Sequence, residues 1–208
     1  VEQKNQENWF SSHVSFQAVK RFYYPLKSTE AVGASMDGRS TSLLELPGDG
    51  DLKEVQVKLV DAGFWKVFQF AFVDGKPFSQ ADFDSGLRKA VISRTMARQL
   101  FGETPPVGRT FVLDSDEYRV CGVVKDVSFI TPATYADIWL PLTVDSDIIK
   151  DNKGGYELVG DLNVYMLAPS VDAKDKVITE VRDVFRKYNY SQKKYSVDLH
   201  GQPVSYWK

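Results

Sequence analysis

KAVISRTMARQLFGETPPVGRTF, residues 89–111, decides how the rest of the chain is read. Ala90 to Ser93 is an apolar run of strand length. The following TMARQLF carries Met96, Ala97, Leu100 and Phe101 on one helical stripe. Ser93 stands where a hydroxyl caps a helix by accepting an orphan backbone N–H, and Gly102 closes the helix. Two prolines, Gly108 and a second strand, RTFVL, follow. Two chemical readings compete with this. A nucleophile elbow needs small residues on both sides of its Ser, but Ser93 lies between Ile92 and Arg94, and Met96 stands where an S-x-x-K pair needs Lys. A phosphate loop needs Lys and Ser or Thr after its last Gly, and then a helix. Arg109, Thr110 and a strand follow Gly108 instead. The stretch reads as architecture.

On the N-terminal side, residues 11–27 predict a helix capped by Ser12 or Ser15 and ended by Pro25, with Val14, Ala18, Val19 and Phe22 at helical spacing. AVGASM (31–36) and SLLEL (42–46) predict two short strands, with a Pro-Gly turn after the second. In EVQVKLV (54–60), Val55, Val57 and Leu59 alternate with Glu54, Gln56 and Lys58, the pattern of a half-buried strand. DAGFWKVFQF (61–70) predicts a short aromatic helix or turn, and the Gly-, Pro- and Asp-rich stretch 74–86 a loop. On the C-terminal side, RTFVL and YRVCGVV (118–124) predict a hairpin around DSDE. ADIWLPL (136–142) and DLNVYMLAP (161–169) predict strands. Residues 143–157, with Lys153-Gly154-Gly155, predict a loop. Residues 172–188 predict the best helix, with Val177, Val181, Val184, Phe185 and Tyr188 on its buried face. KYSVDL (194–199) predicts a final strand. Helices and strands in this order suit an α+β layer fold.

Composition narrows function. The chain has 208 residues, enough for a sizeable core. Lys plus Arg number 26 against 28 Asp plus Glu, so no basic field exists for nucleic acid. One cysteine, Cys121, excludes an intrachain disulfide. Two histidines, His13 and His200, leave little for a histidine metal centre or acid–base chemistry. No run of 18 apolar residues spans a bilayer. The chain starts at Val1 without Met or a signal-peptide pattern, so it is expected to be a piece of a longer protein. If bilayer segments flank it, Trp9 and Trp207 suit the membrane interface.

Other clusters are weak. Acidic runs at 49–51, 114–117 and 145–147 lack the spacing of a calcium loop and sit where turns are expected. His200, Asp198 and Ser205 have the residue types of a triad, but strand geometry throws close neighbours to opposite faces. No cofactor is expected.

VDAGFWKVFQFAFVDGKPFSQADF (60–83), AVISRTMARQLFG (90–102), PVGRTF (106–111), YRVCGVVKDV (118–127) and DIWLPL (137–142) together resemble the MacB-type periplasmic core domain of bacterial ABC transporter permeases, alongside FtsX-like and LolC/LolE-like permeases. The ordered set carries the resemblance, over about the middle two-fifths of the chain. It implies an α+β fold with two lobes: a membrane-proximal porter-like lobe from 1–73 and 133–208, and an inserted β-rich Sabre-like lobe from 74–132. It implies a periplasmic domain of an inner-membrane protein, between the first two membrane helices of a permease. ATP hydrolysis would belong to a separate cytoplasmic ATPase domain or subunit. A second permease protomer would be a partner, as would a periplasmic adaptor, lipoprotein or peptide cargo, with no nucleic acid involved. The motif residues would be structural: Phe64 and Phe68 anchor, Ser93 caps, Gly102 terminates, Gly108 turns and Gly122 permits close packing. Gly75, Phe78, Ile92 and Phe101 belong to the same set. The expected partner contact is the tip of the insert, around Asp82, Asp84, Asp114 and Asp116. The rival reading is a stand-alone secreted domain that binds a ligand or peptide, and an enzyme comes third for want of motifs.

Ser93→Ala is expected to cost on the order of 1 kcal/mol in denaturant unfolding, as a lost cap does. Loss of a chemical activity at unchanged stability would show Ser93 to be a nucleophile instead.

Overall fold

The structure, a computed structural model, describes residues 2–3, 13–48, 51–150, 158–191 and 195–205. Trp9, Trp207, Lys153-Gly154-Gly155 and most of the 49–51 acidic run lie outside them. In chain order the elements are β1 (Glu2–Gln3), β2 (His13–Val14), α1 (Phe16–Ala18, continued by a π-helical turn Val19–Tyr23), β3 (Ala31–Glu45), β4 (Leu52–Val60), α2 (Phe64–Val67), β5 (Phe72–Gly75), α3 (Gln80–Asp84), β6 (Lys89–Ser93), α4 (Arg94–Phe101), β7 (Thr110–Leu113), β8 (Asp116–Val124), β9 (Ile138–Pro141), α5 (Ser146–Lys150), β10 (Val159–Gly160), β11 (Leu162–Leu167), α6 (Lys174–Ser191) and β12 (Tyr195–Ser196). The fold is mixed α/β. It divides into two compact units, one from 1–32 and 150–208, the other from 33–149. The lobe boundaries expected at 73/74 and 132/133 both fall inside the second unit. There β9, from beyond 133, pairs with β6, from before it.

The first unit is built from the two flanks of the chain. β2 pairs antiparallel with β10 and β11, and β1 with β12. Ser15 caps α1, accepting the Ala18 N–H at 3.0 Å, and Ser12 lies outside the described residues. Val14 belongs to β2 rather than to the helix. The aromatic side chains of α1 meet α6: Phe22 packs on Phe185 and Tyr188 at 5.1 and 5.2 Å between ring centroids. Arg21 lies over the rings of Phe22 and Tyr188. Burial pushes the Tyr23 phenol up to about 12, so it stays neutral. On α6, Val177, Val181 and Phe185 are buried, while Val184 and Tyr188 are half-exposed.

One side chain ties the flanks together. Glu180 of α6 accepts the backbone N–H groups of Lys27 and Ser28 and the Ser28 hydroxyl. Burial opposes its charge. The Ser28 hydroxyl and the two amides together outweigh that penalty and hold the carboxyl below its ordinary range.

The second unit is a sheet that returns on itself. Neighbours run β3, β4, β9, β6, β8, β7, and β7 meets β3 again at Leu44 and Leu113. β5 adds to the outer side of β8. Two pairings are parallel, β4 with β9 and β6 with β8, and each needs a long crossover. The inward side chains include Leu44, Val55, Ile92, Leu113 and Ile138, all buried. A closed ring leaves fewer unpaired strand edges than an open sheet.

Several local readings change. Residues 31–45 form one strand, not two, with register shifts between Met36 and Ser42 that bend it. β4 alternates only to Gln56, and from Val57 onward every residue is buried. Lys58, expected at the surface, is 4% exposed and donates to the Pro132 carbonyl at 3.0 Å. The turn at 131–135, which carries Pro132, closes over this part of β4. The 74–86 stretch is not all loop. It holds the end of β5 and α3, which a capping box of Ser79 and Asp82 starts. The final strand shrinks to two residues.

β5 and β8 meet at a pair of glycines, Gly75 opposite Gly122. A Cβ on Gly122 would lie 2.6 Å from the Lys76 carbonyl oxygen, and one on Gly75 2.3 Å from that of Cys121. Backbone fills both places, so neither contact relaxes by a rotamer change. Gly122→Ala is expected to cost about 1 to 3 kcal/mol, as overpacking does, read from the urea midpoint with an unchanged slope.

Candidate functional site

The five segments that carry the family resemblance converge in the second unit. An aromatic cluster is their centre. Phe64 starts α2, where the buried Asp61 carboxylate accepts its N–H at 2.7 Å. Trp65 follows and is ringed by Phe70, Phe72, Phe78 and Trp139, with centroids 5.2 to 6.3 Å away and mostly edge-to-face. Phe64 also packs on the half-buried Phe68, at 4.8 Å. Aromatic pairs in this geometry add to the area they bury. The indole of Trp139 donates to Thr134 O at 3.2 Å, whereas that of Trp65 is buried without a partner among the described residues.

Ile92 and Ser93 end the central strand β6, both buried. Ser93 Oγ accepts the Met96 N–H at 3.1 Å. A second cap escaped the sequence reading: Asp126, just after β8, accepts the Thr95 N–H at 2.8 Å. Its signal was only an Asp after a strand, so nothing in the sequence linked it to α4. Phe101 is half-buried, and Gly102 closes α4 with its N–H on Arg98 O at 2.9 Å. Gly108 donates to Val120 O at 2.8 Å. The second unit contains no histidine, since both lie outside 33–149. Cys121 is half-buried, its thiol 3.3 Å from Ala90 O, and burial pushes it up to about 12. Such a thiol is a poor nucleophile.

The four acids expected at a partner contact all have local bonds. Asp82 accepts the Ser79 N–H and hydroxyl and the Lys89 ammonium, the last at 2.7 Å. Asp84 accepts from Gln80 at 2.8 Å. Asp114 accepts the Leu43 N–H at 2.8 Å, and Asp116 pairs with Arg88 at 2.6 Å. Asp114 and Ser115 form the two-residue hairpin turn, both at positive φ, as a type I′ turn requires.

The first unit has an open groove of about 530 Å³ between α6 and residues 196–202, walled by Arg182, Arg186, Asn189 and Asp198 over Phe185. It is exposed and charged, unlike the enclosed apolar clefts that take small molecules. Asp198 and His200 pair at 3.8 Å on the surface. Among the described residues, no three His, Cys, Asp or Glu side chains are placed to hold a metal ion, and no helix is long and apolar enough to cross a membrane.

This arrangement of strands, caps and glycines has known relatives. The model of the MacB-like periplasmic core domain matches residues 5–184. The chain belongs to that family. As a MacB-like core domain it is of the periplasmic type, and the periplasmic domains of such permeases are generally non-catalytic. The uncharacterized ABC transporter permease YknZ of Bacillus subtilis (strain 168) is 25% identical over 91 residues, 44% of this chain. The pyoverdine export ATP-binding/permease protein PvdT of Pseudomonas savastanoi pv. phaseolicola (strain 1448A / Race 6) is 34% identical over 67 residues, 32% of this chain. The chain spans 23% and 10% of the length of these two relatives. The periplasmic region of MacB from Actinobacillus actinomycetemcomitans has a similar fold, with a TM-score of 0.59 at 14% identity, covering 84% of this chain and 75% of that one.

The Lys89 ammonium, with the Ser79 groups, lowers Asp82 from 3.8 to about 2. A depressed carboxyl stabilises the fold above its unfolded pKa, and that contribution is lost as pH falls through the folded value. Asp82→Asn is therefore expected to lower stability at pH 7 by about 1 kcal/mol, discounted for solvent screening. The difference from wild type should shrink between pH 4 and 2 in thermal melts taken across that range.

Proposed function

We propose that this chain is the mechanical periplasmic part of an ABC transporter permease, passing ATP-driven motion to export, to lipoprotein or lipid extraction, or to signalling. The observation that carries the reading is the join between the chain's two flanks. Residues 13–32 and 158–191 pack as one unit through Phe22 on Phe185 and through Glu180 on the amides of Lys27 and Ser28. Membrane segments attached to the two flanks would then move one body rather than two loose tethers. The second unit is inserted, in sequence, between the two flanks.

The family membership and the relatives' names support this reading. ATP hydrolysis would lie in a cytoplasmic ATPase domain or subunit, and a second permease protomer would complete the assembly. An adaptor, lipoprotein or peptide cargo would meet the periplasmic surface. We assign the porter-like and Sabre-like lobes to the same scheme, with 1–73 and 133–208 as porter and 74–132 as insert. The packing units, divided at 32/33 and 149/150, are the bodies that would move. The motif residues Phe64, Phe68, Gly75, Phe78, Ile92, Ser93, Phe101, Gly102, Gly108 and Gly122 serve architecture in this scheme.

Two measurements test it. A hydropathy scan of the parent gene, about 40 residues to either side of the chain, should find one apolar span of about 20 residues on each side. A cleavable signal before Val1 and a stop codon soon after Lys208 would overturn the reading in favour of a secreted binding domain. In the full-length permease with its ATPase, Glu180→Ala is expected to leave basal ATP hydrolysis within about twofold and to reduce transport at least about tenfold. Unchanged transport would show that the join carries no force.

A further inference from the structure

We propose that the outward face of the β3–β4 hairpin docks an extended segment of a protein partner in which apolar and basic side chains alternate. The register sets the pattern. Leu43 lies opposite Glu54, and Glu45 opposite Leu52. Directly opposed residues share a face, so the two leucines form one diagonal of a square and the two glutamates the other. The intervening residues point the other way: Ser42, Leu44 and Val55 are buried. This face is therefore the outside of the ring, and nothing among the described residues covers it. Leu43 is 43% and Leu52 60% exposed, and both glutamates are exposed.

The hairpin is firmly held while it shows these side chains. The Leu43 N–H donates to the Asp114 carboxylate at 2.8 Å, and the Asp114 N–H donates to Leu43 O at 3.0 Å. Leu44 pairs with Leu113 behind it. The leucines are thus not the loose end of a frayed strand.

Charge selects the occupant. Lys53, the one cation of residues 42–56, lies on the inward-facing row and donates to Gln99 at 2.5 Å. Glu45 and Glu54 face outward, and no other cation lies within residues 42–56 to pair with them. They repel an anionic lipid surface or a nucleic acid, and a second copy offering the same face would set glutamate against glutamate. A strand-like segment alternating leucine-sized and Lys or Arg side chains satisfies both diagonals, with apolar groups on the leucines and cations on the glutamates. This proposal stands on the hairpin face alone and does not depend on the permease reading.

The test is fluorescence anisotropy on the 208-residue chain. The probe is a labelled peptide of about twelve alternating Leu and Lys residues, and the control replaces each Leu with Ser at equal charge. The expected result is roughly tenfold tighter binding of the Leu–Lys peptide. The double variant Leu43→Ser with Leu52→Ser should lose that preference. Glu45→Gln with Glu54→Gln should weaken binding and flatten its salt dependence. If the leucine pair disturbs folding, Leu52→Lys alone, at the more exposed position, should weaken binding at unchanged thermal stability. The proposal is overturned if the two peptides bind alike, if the leucine variants bind as wild type does, or if sedimentation shows the chain pairing with itself through this face.

Discussion

Asp137 joins three strands. Its N–H donates to Gln56 O at 2.8 Å and its carboxylate accepts the Gln56 N–H at 2.9 Å, while its own carbonyl accepts the Ser93 N–H at 2.9 Å. It thereby sets β9 parallel to β4 and antiparallel to β6. The register Val57 with Ile138 brings together residues far apart in the chain, and closing so long a loop is unfavourable until burial offsets it. Here the offset is local and large: Ile138 and Trp139 are fully buried, and Trp139 completes the aromatic ring around Trp65. α2, β5, α3, β6, α4, β7 and β8 all fold between the two ends of this one pairing. Lys58 becomes a buried lysine for the same reason. It pairs with Trp139 across this register, and the turn at 131–135 supplies Pro132 O to its ammonium in place of water.

What could be read from the sequence was local. The capped helix after AVIS, the hairpin at Asp114-Ser115 and the amphipathic α6 each carry their signal within a few residues. Periodicity and turn chemistry report such features directly. The missed features depend on partners distant in the chain. The alternation of 54–60 promised a half-buried strand because it says nothing of the strand that lies alongside. Asp126 and Asp137 looked like ordinary loop acids, since a cap or clamp is recognisable only once the other strand is in place. The short α3 is a different case. Ser79 and Asp82 have the spacing of a capping box, but the surrounding Gly, Pro and Asp outweighed it in a reading by composition. Of the candidate site, the aromatic and glycine positions were visible as a family pattern. The Leu–Glu square of the hairpin was not, because it exists only in the cross-strand register.

The two units are held together differently. The second is held by a ring of strands, a pair of glycines closed backbone to backbone and an aromatic centre. The first is held by the rings of Phe22, Phe185 and Tyr188 and by Glu180 on the amides of Lys27 and Ser28. Chemistry is sparse throughout, and Cys121, the one thiol, is kept protonated by burial. The second unit's exposed apolar side chains include Leu43 and Leu52 of the hairpin face and, separately, Phe129 and Ile130, both 76% exposed on a loop braced by Ser128 and Thr131.

The discontinuity of the first unit sets the order in which the chain becomes protected during synthesis. Residues 13–32 emerge first, yet their partners on α6 come after the whole of the second unit. At ~5–20 residues per second, Phe22 waits on the order of ten to thirty seconds for Phe185. The ring draws its strands from residues 31–141 and can close in that interval. The early segment, with Phe16, Phe22 and Tyr23 uncovered, is meanwhile the part of the newborn chain most open to a chaperone or a protease.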